Sequence, residues 1–219
     1  MNARVLTATE AHVRDLLEGE GSGHDWWHVH RVRNLALTIG KEEGADLFVV
    51  ELAALLHDIA DWKFHGGDTS VGPTKAREWL EKQGVDERMI NHVCDIIAHI
   101  SYKGAGVATP MSTIEGKAVQ DADRIEALGA IGIARTFAYG GHKNRPMHDP
   151  ETQPTLHTSF EQYSAHPGKG GTTINHFYEK LLLLKDRMNT ATGKRIAEER
   201  TAFMQAYLDR FFKEWDGRL

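Results

Sequence analysis

Apolar residues recur with a period near 3.6 along most of the chain, and convincing period-two alternation is absent, so the pattern predicts an all-α fold. Val29, Val32, Leu35, Ala36 and Ile39 mark one face of a helix that Gly44 would end, and Ser22 followed by Asp25 resembles a capping box at its start. After a short turn, Leu52, Ala53, Leu55, Leu56 and Ile59 predict the packed face of a core helix with Asp46 as its N-cap. GGDTSVGPT reads as a loop, with Pro73 suited to the first turn of the next helix. Met89, Ile90, Val93, Ile96 and Ile97 form the inward side of a helix over 85–100. SYKGAGVATP is a second loop, after which Ser112 and Glu115 suggest another capping box ahead of a helix carrying Asp123.

From Gly140 to Gly171 the pattern gives way to Gly, Pro, His and polar residues. A loop of that length inside a compact domain is usually functional or disordered. Two amphipathic helices then follow over 174–188 and 194–215. A length of 219 residues suits one domain with a sizeable core: a central region at about 22–130, a polar loop at about 140–173 and C-terminal helices at about 174–215.

His57 and Asp58 interrupt the apolar run LAALLHDIADWKF. A carboxylate placed there must be paired, hydrogen-bonded or metal-bound, because an isolated buried charge is expensive. A bare His-Asp dipeptide is common by chance, so its neighbours matter. Upstream, in GHDWWHVHRV, His28 and Arg31 share one side of a helix turn. Taken alone, His28 reads as an exposed or capping histidine. His24 and Asp25 form a second His-Asp pair, but their place at a helix start beside glycines suits capping or a hydrogen bond to a neighbouring ligand. Downstream, in VQDADRIEALGA, Ala118, Val119, Ala122 and Ile125 mark an inward face, with Asp121 and Asp123 competing for a role near it. A salt bridge within a solvated helix face is the plain alternative for Asp123.

His92, Asp95 and His99 are spaced i, i+3 and i+7 on one helix face, fit for phosphate contact, a second metal or a hydrogen-bond network. The long loop carries His142, Lys143, Arg145, His148, His157 and His166, a set that suits a lid over phosphates or simple solvation. A net charge of −5 argues against a general nucleic-acid surface, while a few local cations would still hold a nucleotide. The single cysteine, Cys94, lies in an apolar helical pattern and reads as inert packing rather than a reactive thiol. No charged segment with an apolar stretch opens the chain, and no apolar run reaches the ~20 residues of a membrane span, so the expectation is a cytoplasmic protein.

The three segments together resemble the HD-domain phosphohydrolases, and TTINHFYEKLLLLKDRMNT near the C-terminus is similar to a subgroup of small stand-alone bacterial HD proteins that includes nucleotide pyrophosphohydrolases. The resemblance runs from about His24 to Trp215 and implies an HD-domain helical bundle. It implies that His28, His57, Asp58 and Asp123 bind one divalent metal; the Arg-Ile that follows Asp123 selects it over Asp121. Two imidazoles and two carboxylates suit Mn²⁺, here favoured, and also Mg²⁺, Fe²⁺, Co²⁺ or Ni²⁺. In several such enzymes an acid at the offset of Asp61 orients or deprotonates the attacking water; a helix-end carboxylate paired with Lys63 is the alternative. Arg31, Lys63, His92 and His99 are the candidate substrate contacts, since phosphoryl transfer needs fixed cations. The implied activity is cleavage of a small nucleotide, foremost a nucleoside triphosphate to monophosphate and pyrophosphate. Phosphomonoesterase or phosphodiesterase action is the runner-up, and a di-iron oxygenase or a non-catalytic nucleotide sensor stands further off.

Overall fold

The computed structural model describes residues 2–19, 25–60, 68–103, 107–156 and 171–218, and among them there are helices and connections but no strand. The helices are α1 (Asn2–Leu16), α2 (Trp26–Glu42), α3 (Leu47–Leu56), α4 (Val71–Lys82), α5 (Glu87–His99), α6 (Ile114–Glu126), α7 (Gly129–His142), α8 (Asn175–Glu179) and α9 (Ala191–Trp215), with a 3-10 helix at Leu181–Arg187. They fall into two compact units, one of Met1–Tyr102 with Thr109–Asp123, the other of Lys103–Ala108 with Arg124–Leu219.

In the first unit α3 is the centre. Val49, Val50 and every residue from Leu52 to Leu56 are buried, and a helix apolar on all sides must be enclosed by others. It packs against α1, α2 and α5, while α4 packs against α5. The α2–α3 corner follows the sequence closely: α2 ends at Glu42, Gly44 adopts a φ of +73°, and the Asp46 side chain accepts from the Phe48 amide to start α3.

Helix α1 carries little sequence signal, because its buried stripe is narrow: Val5, Thr9 and Val13. It is held instead by polar ties. Arg33 of α2 donates through Nη1 to Glu10 (3.0 Å) and through Nε to Glu51 of α3 (2.8 Å). Trp79 of α4 donates to Thr9 Oγ1 at 2.9 Å and stacks on His12 with ring centroids 3.9 Å apart.

In the second unit, α9 packs on α7 and on the 3-10 helix. The helix expected over 174–188 is broken at Lys180, whose φ and ψ of −141° and −57° separate α8 from the 3-10 turn. Leu181 and Leu184, the buried residues beyond the break, are three apart, which matches three residues per turn. At the other end of the polar stretch, α7 continues to His142, so Gly140 and Gly141 are helical.

Candidate metal centre

The site forms where helix ends meet, all within the first unit. His28 lies in the first turn of α2, whose N-cap is Asp25: its carboxylate accepts from the His28 amide at 2.9 Å. Ser22 and His24 lie outside the described residues. His57 and Asp58 are not mid-helix, as the apolar run suggested. Helix α3 ends at Leu56, His57 is its C-cap, and Asp58 sits in the turn beyond. The apolar pattern ran on because Ile59 and Ala60 are buried as well. Asp123 is near the end of α6, whose preceding turn is buried at Ala118, Val119, Gln120 and Asp121.

These four side chains converge. His28 Nε2 is 3.6 Å from Asp58 Oδ2 and 3.6 Å from Asp123 Oδ1. His57 Nε2 is 4.0 Å from the first of these oxygens and 3.8 Å from the second. The two imidazole rings stand edge to face with centroids 5.4 Å apart. Among the described residues, the group of His, Cys, Asp and Glu side chains able to share one ion is His28, His57 and Asp58, with ligand atoms all within 4.8 Å of one another.

The orientation of His57 tests whether a metal fits. Its Nδ1 lies 2.8 Å from the Ala54 carbonyl, which can only accept, so Nδ1 carries the proton and Nε2 offers its lone pair to the cluster. That buried Nε2 makes no hydrogen bond of its own. The separations across the cluster are too wide for hydrogen bonds. The four nitrogen-to-oxygen distances fall inside the ~4.2 Å that two ligands can span across one first-row ion with bonds near 2.1 Å, while Asp123 lies outside the group of three whose ligand atoms all approach one another. The residues therefore fit a divalent ion with nitrogen and oxygen ligands.

His92 and His99 have other partners. His92 Nε2 is 2.9 Å from Thr113 Oγ1 and 3.7 Å from Glu115 Oε2. Thr113, rather than Ser112, caps α6 by accepting from the Gly116 amide, and Glu115 reaches across to accept from the Asp46 amide. Thus His92 joins a network that ties the starts of α3 and α6 to α5, a role with no local sequence signal because its partners are at least 21 residues away. His99 is exposed, with Nδ1 2.8 Å from the Asp95 carbonyl and 3.3 Å from its carboxylate. Arg31 is half-buried on α2. Asp61 and Lys63 lie outside the described residues, as do His157 and His166. Cys94 donates to the Pro73 carbonyl, and burial pushes its thiol pKa up, consistent with inert packing.

With this geometry the chain can be compared with known proteins. The family model of the HD domain matches residues 26–128, a span that contains all four converging side chains. YpgQ of Bacillus subtilis is 41% identical over 207 residues, 94% of this chain and 91% of that protein. An HD-superfamily hydrolase from Bacillus thuringiensis superposes with a TM-score of 0.78 at 42% identity over the full length of both chains. A protein from Lactobacillus plantarum superposes at 0.83 with 38% identity, covering 97% of each chain. The structure of YpgQ in complex with ADP superposes at 0.75, covering 97% of this chain and 96% of that one. The chain belongs to the HD-domain superfamily of hydrolases. No helix among the described residues is long and apolar enough to cross a membrane.

Proposed function

We propose that this protein is a metal-dependent nucleotide phosphohydrolase that cleaves a nucleoside triphosphate to the monophosphate and pyrophosphate. The observation that carries the reading is the convergence of His28, His57, Asp58 and Asp123, with the His57 lone pair turned into the cluster. The YpgQ complex with ADP supports the nucleotide class, and the subgroup-like segment over 172–190 supports the pyrophosphohydrolase outcome.

In this reading His28, His57, Asp58 and Asp123 hold one divalent ion, with Mn²⁺ favoured. Such an ion, when bound, polarises a phosphoryl oxygen and lowers the pKa of water. The protein's own groups supply the rest. The Ala54 carbonyl fixes the His57 ring, and Asp25 fixes the first turn that carries His28. Asp123, with a side chain 28% exposed against 11% for Asp58 and 2–3% for the histidines, is the most open of the four and marks the side from which substrate arrives. Asp61 positions the attacking water and takes its proton, while Arg31 and Lys63 balance phosphate charge, with His92 and His99 as further substrate contacts.

Purified protein incubated with a nucleoside triphosphate and Mn²⁺, Mg²⁺, Co²⁺ or Ni²⁺ tests this, with products resolved by phosphorus NMR. Monophosphate and pyrophosphate should appear together without accumulating diphosphate. Stoichiometric orthophosphate with a nucleoside diphosphate would reject the pyrophosphohydrolase and leave the broader phosphohydrolase.

A further inference from the structure

Trp27 is 56% exposed, although Trp26 before it and His28 after it are both buried. An indole carries more apolar surface than almost any other side chain, and leaving it in water forgoes the free energy of burying it. Isolated surface aromatics are ordinary, so exposure alone decides nothing. The position of Trp27 and the way its ring is held set it apart.

Trp27 and His28 both lie in the first turn of α2, and helical side chains lean back toward the N-terminus. The two therefore reach toward the same helix end, where His28 Nε2 lies 3.6 Å from Asp58 Oδ2 and 3.6 Å from Asp123 Oδ1. Their Cα atoms are about 3.8 Å apart, well within the span of a nucleotide from its base to its last phosphate. About 60° round the helix from Trp27, away from His28, lies His30. Its ring meets the indole edge to face, with centroids 5.7 Å apart and planes at 82°. His30 is itself held: the Trp26 ring packs against it at 5.9 Å, and Asn34 Nδ2 donates to its Nε2 at 3.1 Å. An edge-to-face contact occupies at most one face of the indole, and among the described residues His30 is the ring that touches it. The ring is thus braced on one side and open to water over more than half its surface.

We propose that Trp27 is the stacking platform for the base of the nucleotide whose phosphates meet the metal centre, with His30 bracing the indole. The inference rests on the nucleotide reading of that centre. A base is a flat π system that stacks on an indole whatever its hydrogen-bonding edge, while the phosphates belong with the ion. The ligand is divided between two neighbouring residues of one helix turn. Trp27 then sets which phosphorylated compounds bind, because a compound without a base loses this contact alone.

The test uses two ligands that differ by the nucleoside: adenosine 5′-(α,β-methylene)diphosphate, which resists cleavage between its phosphates, and methylenediphosphonate. Each is titrated by calorimetry into Mn²⁺-loaded full-length protein. Trp27→Leu, which keeps an apolar side chain but no ring, should weaken the nucleotide analogue by about 5- to 150-fold, the range for losing one base–aromatic stack. It should leave methylenediphosphonate binding unchanged. Trp27→Phe should retain most of the nucleotide affinity, and both variants should hold as much metal as the parent. Equal nucleotide affinity in the parent and Trp27→Leu overturns the proposal, as does the absence of saturable nucleotide binding by the parent. Equal weakening of both ligands also overturns it, since Trp27 would then only support the turn that carries His28. A parent that binds the analogue through Trp27 yet cleaves no nucleoside triphosphate would overturn the hydrolase reading and leave the platform standing.

Discussion

His28, His57, Asp58 and Asp123 turn imidazole nitrogens and carboxylate oxygens toward one point, whereas around α8 the charged neighbours that act on His176 are the cations Lys180 and Arg145, and Arg145 shares the Tyr139 ring with Lys143. The first cluster has the chemistry of a cation site, and its histidines are buried. The second region is basic rather than mixed, and its charged members remain open to solvent to differing degrees. Each contains a histidine with a distinct structural device. The His57 ring is aimed by a carbonyl 2.8 Å from its Nδ1, which leaves the other nitrogen a lone pair. The His176 ring is kept neutral by burial and by two neighbouring cations. A histidine's role here follows from what faces its second nitrogen and from the sign of its neighbours, neither of which a residue's position in the chain reveals.

The comparison breaks most sharply at Asp58. Its side chain is 11% exposed and lies beside both imidazoles, so Asp58→Ala should remove metal and hydrolysis together while the helical content persists. Metal affinity should fall by more than the ~10- to 100-fold typical of losing a partner behind a ligand. Equilibrium dialysis with elemental analysis checks this, and a folded variant with full metal content would sink the metal-centre reading. A smaller effect is expected at Asp61. Asp61→Asn cannot take up a proton at neutral pH, so turnover should fall about 10²- to 10⁴-fold with metal content retained. Near-normal turnover would demote Asp61 to a structural residue.

How far the sequence reveals these clusters depends on how local their causes are. The stripes of α2, α3 and α5 appear where they were read, and the Asp46 cap and the Gly44 stop are each set by a neighbouring residue. The four residues that the resemblance implies as metal ligands are brought by the fold to nitrogen-to-oxygen distances of 3.6–4.0 Å. The end of α3 was not legible, because burial continues through Ile59 and Ala60 after the helix stops. The partners of His92 were hidden for a different reason: Thr113 and Glu115 meet it only through tertiary packing. The basic region around α8 was hidden likewise. Lys143 and Arg145 read as loop cations until backbone hydrogen bonds lay 146–147 along 173–174.

His176 sharpens the contrast through acid stability. Its pKa is about 3 in the folded protein and near 6.5 unfolded, so between those values the unfolded chain binds more protons. Stability is then complete above pH 6.5 and drains as pH falls toward 3. From pH 7 to pH 5 this one group should cost about 2 kcal/mol. Replacing it with glutamine, which does not titrate, should flatten that part of the profile, whatever it does to stability at pH 7. Urea unfolding at several pH values supplies the measurement, and an unchanged slope in His176→Gln would show that the imidazole is not held neutral.

The smallest effect is expected at Asp25, and it separates a ligand from the residue that merely places one. Asp25 belongs to the second His-Asp pair of the sequence, yet its carboxylate accepts from the His28 amide at 2.9 Å as the N-cap of α2. Removing such a cap costs about 0.5–2 kcal/mol, so Asp25→Ala should lower stability by that amount, while Asp25→Ser, which can cap as well, should restore most of it. Because the cap fixes the turn that carries His28, Asp25→Ala should weaken metal binding only modestly. Its loss should be far smaller than that of Asp58→Ala. The two variants should therefore be compared in one metal titration alongside their melting curves. A loss of metal in Asp25→Ala equal to that in Asp58→Ala, with the fold intact and no rescue by serine, would make Asp25 a ligand and the cap reading wrong.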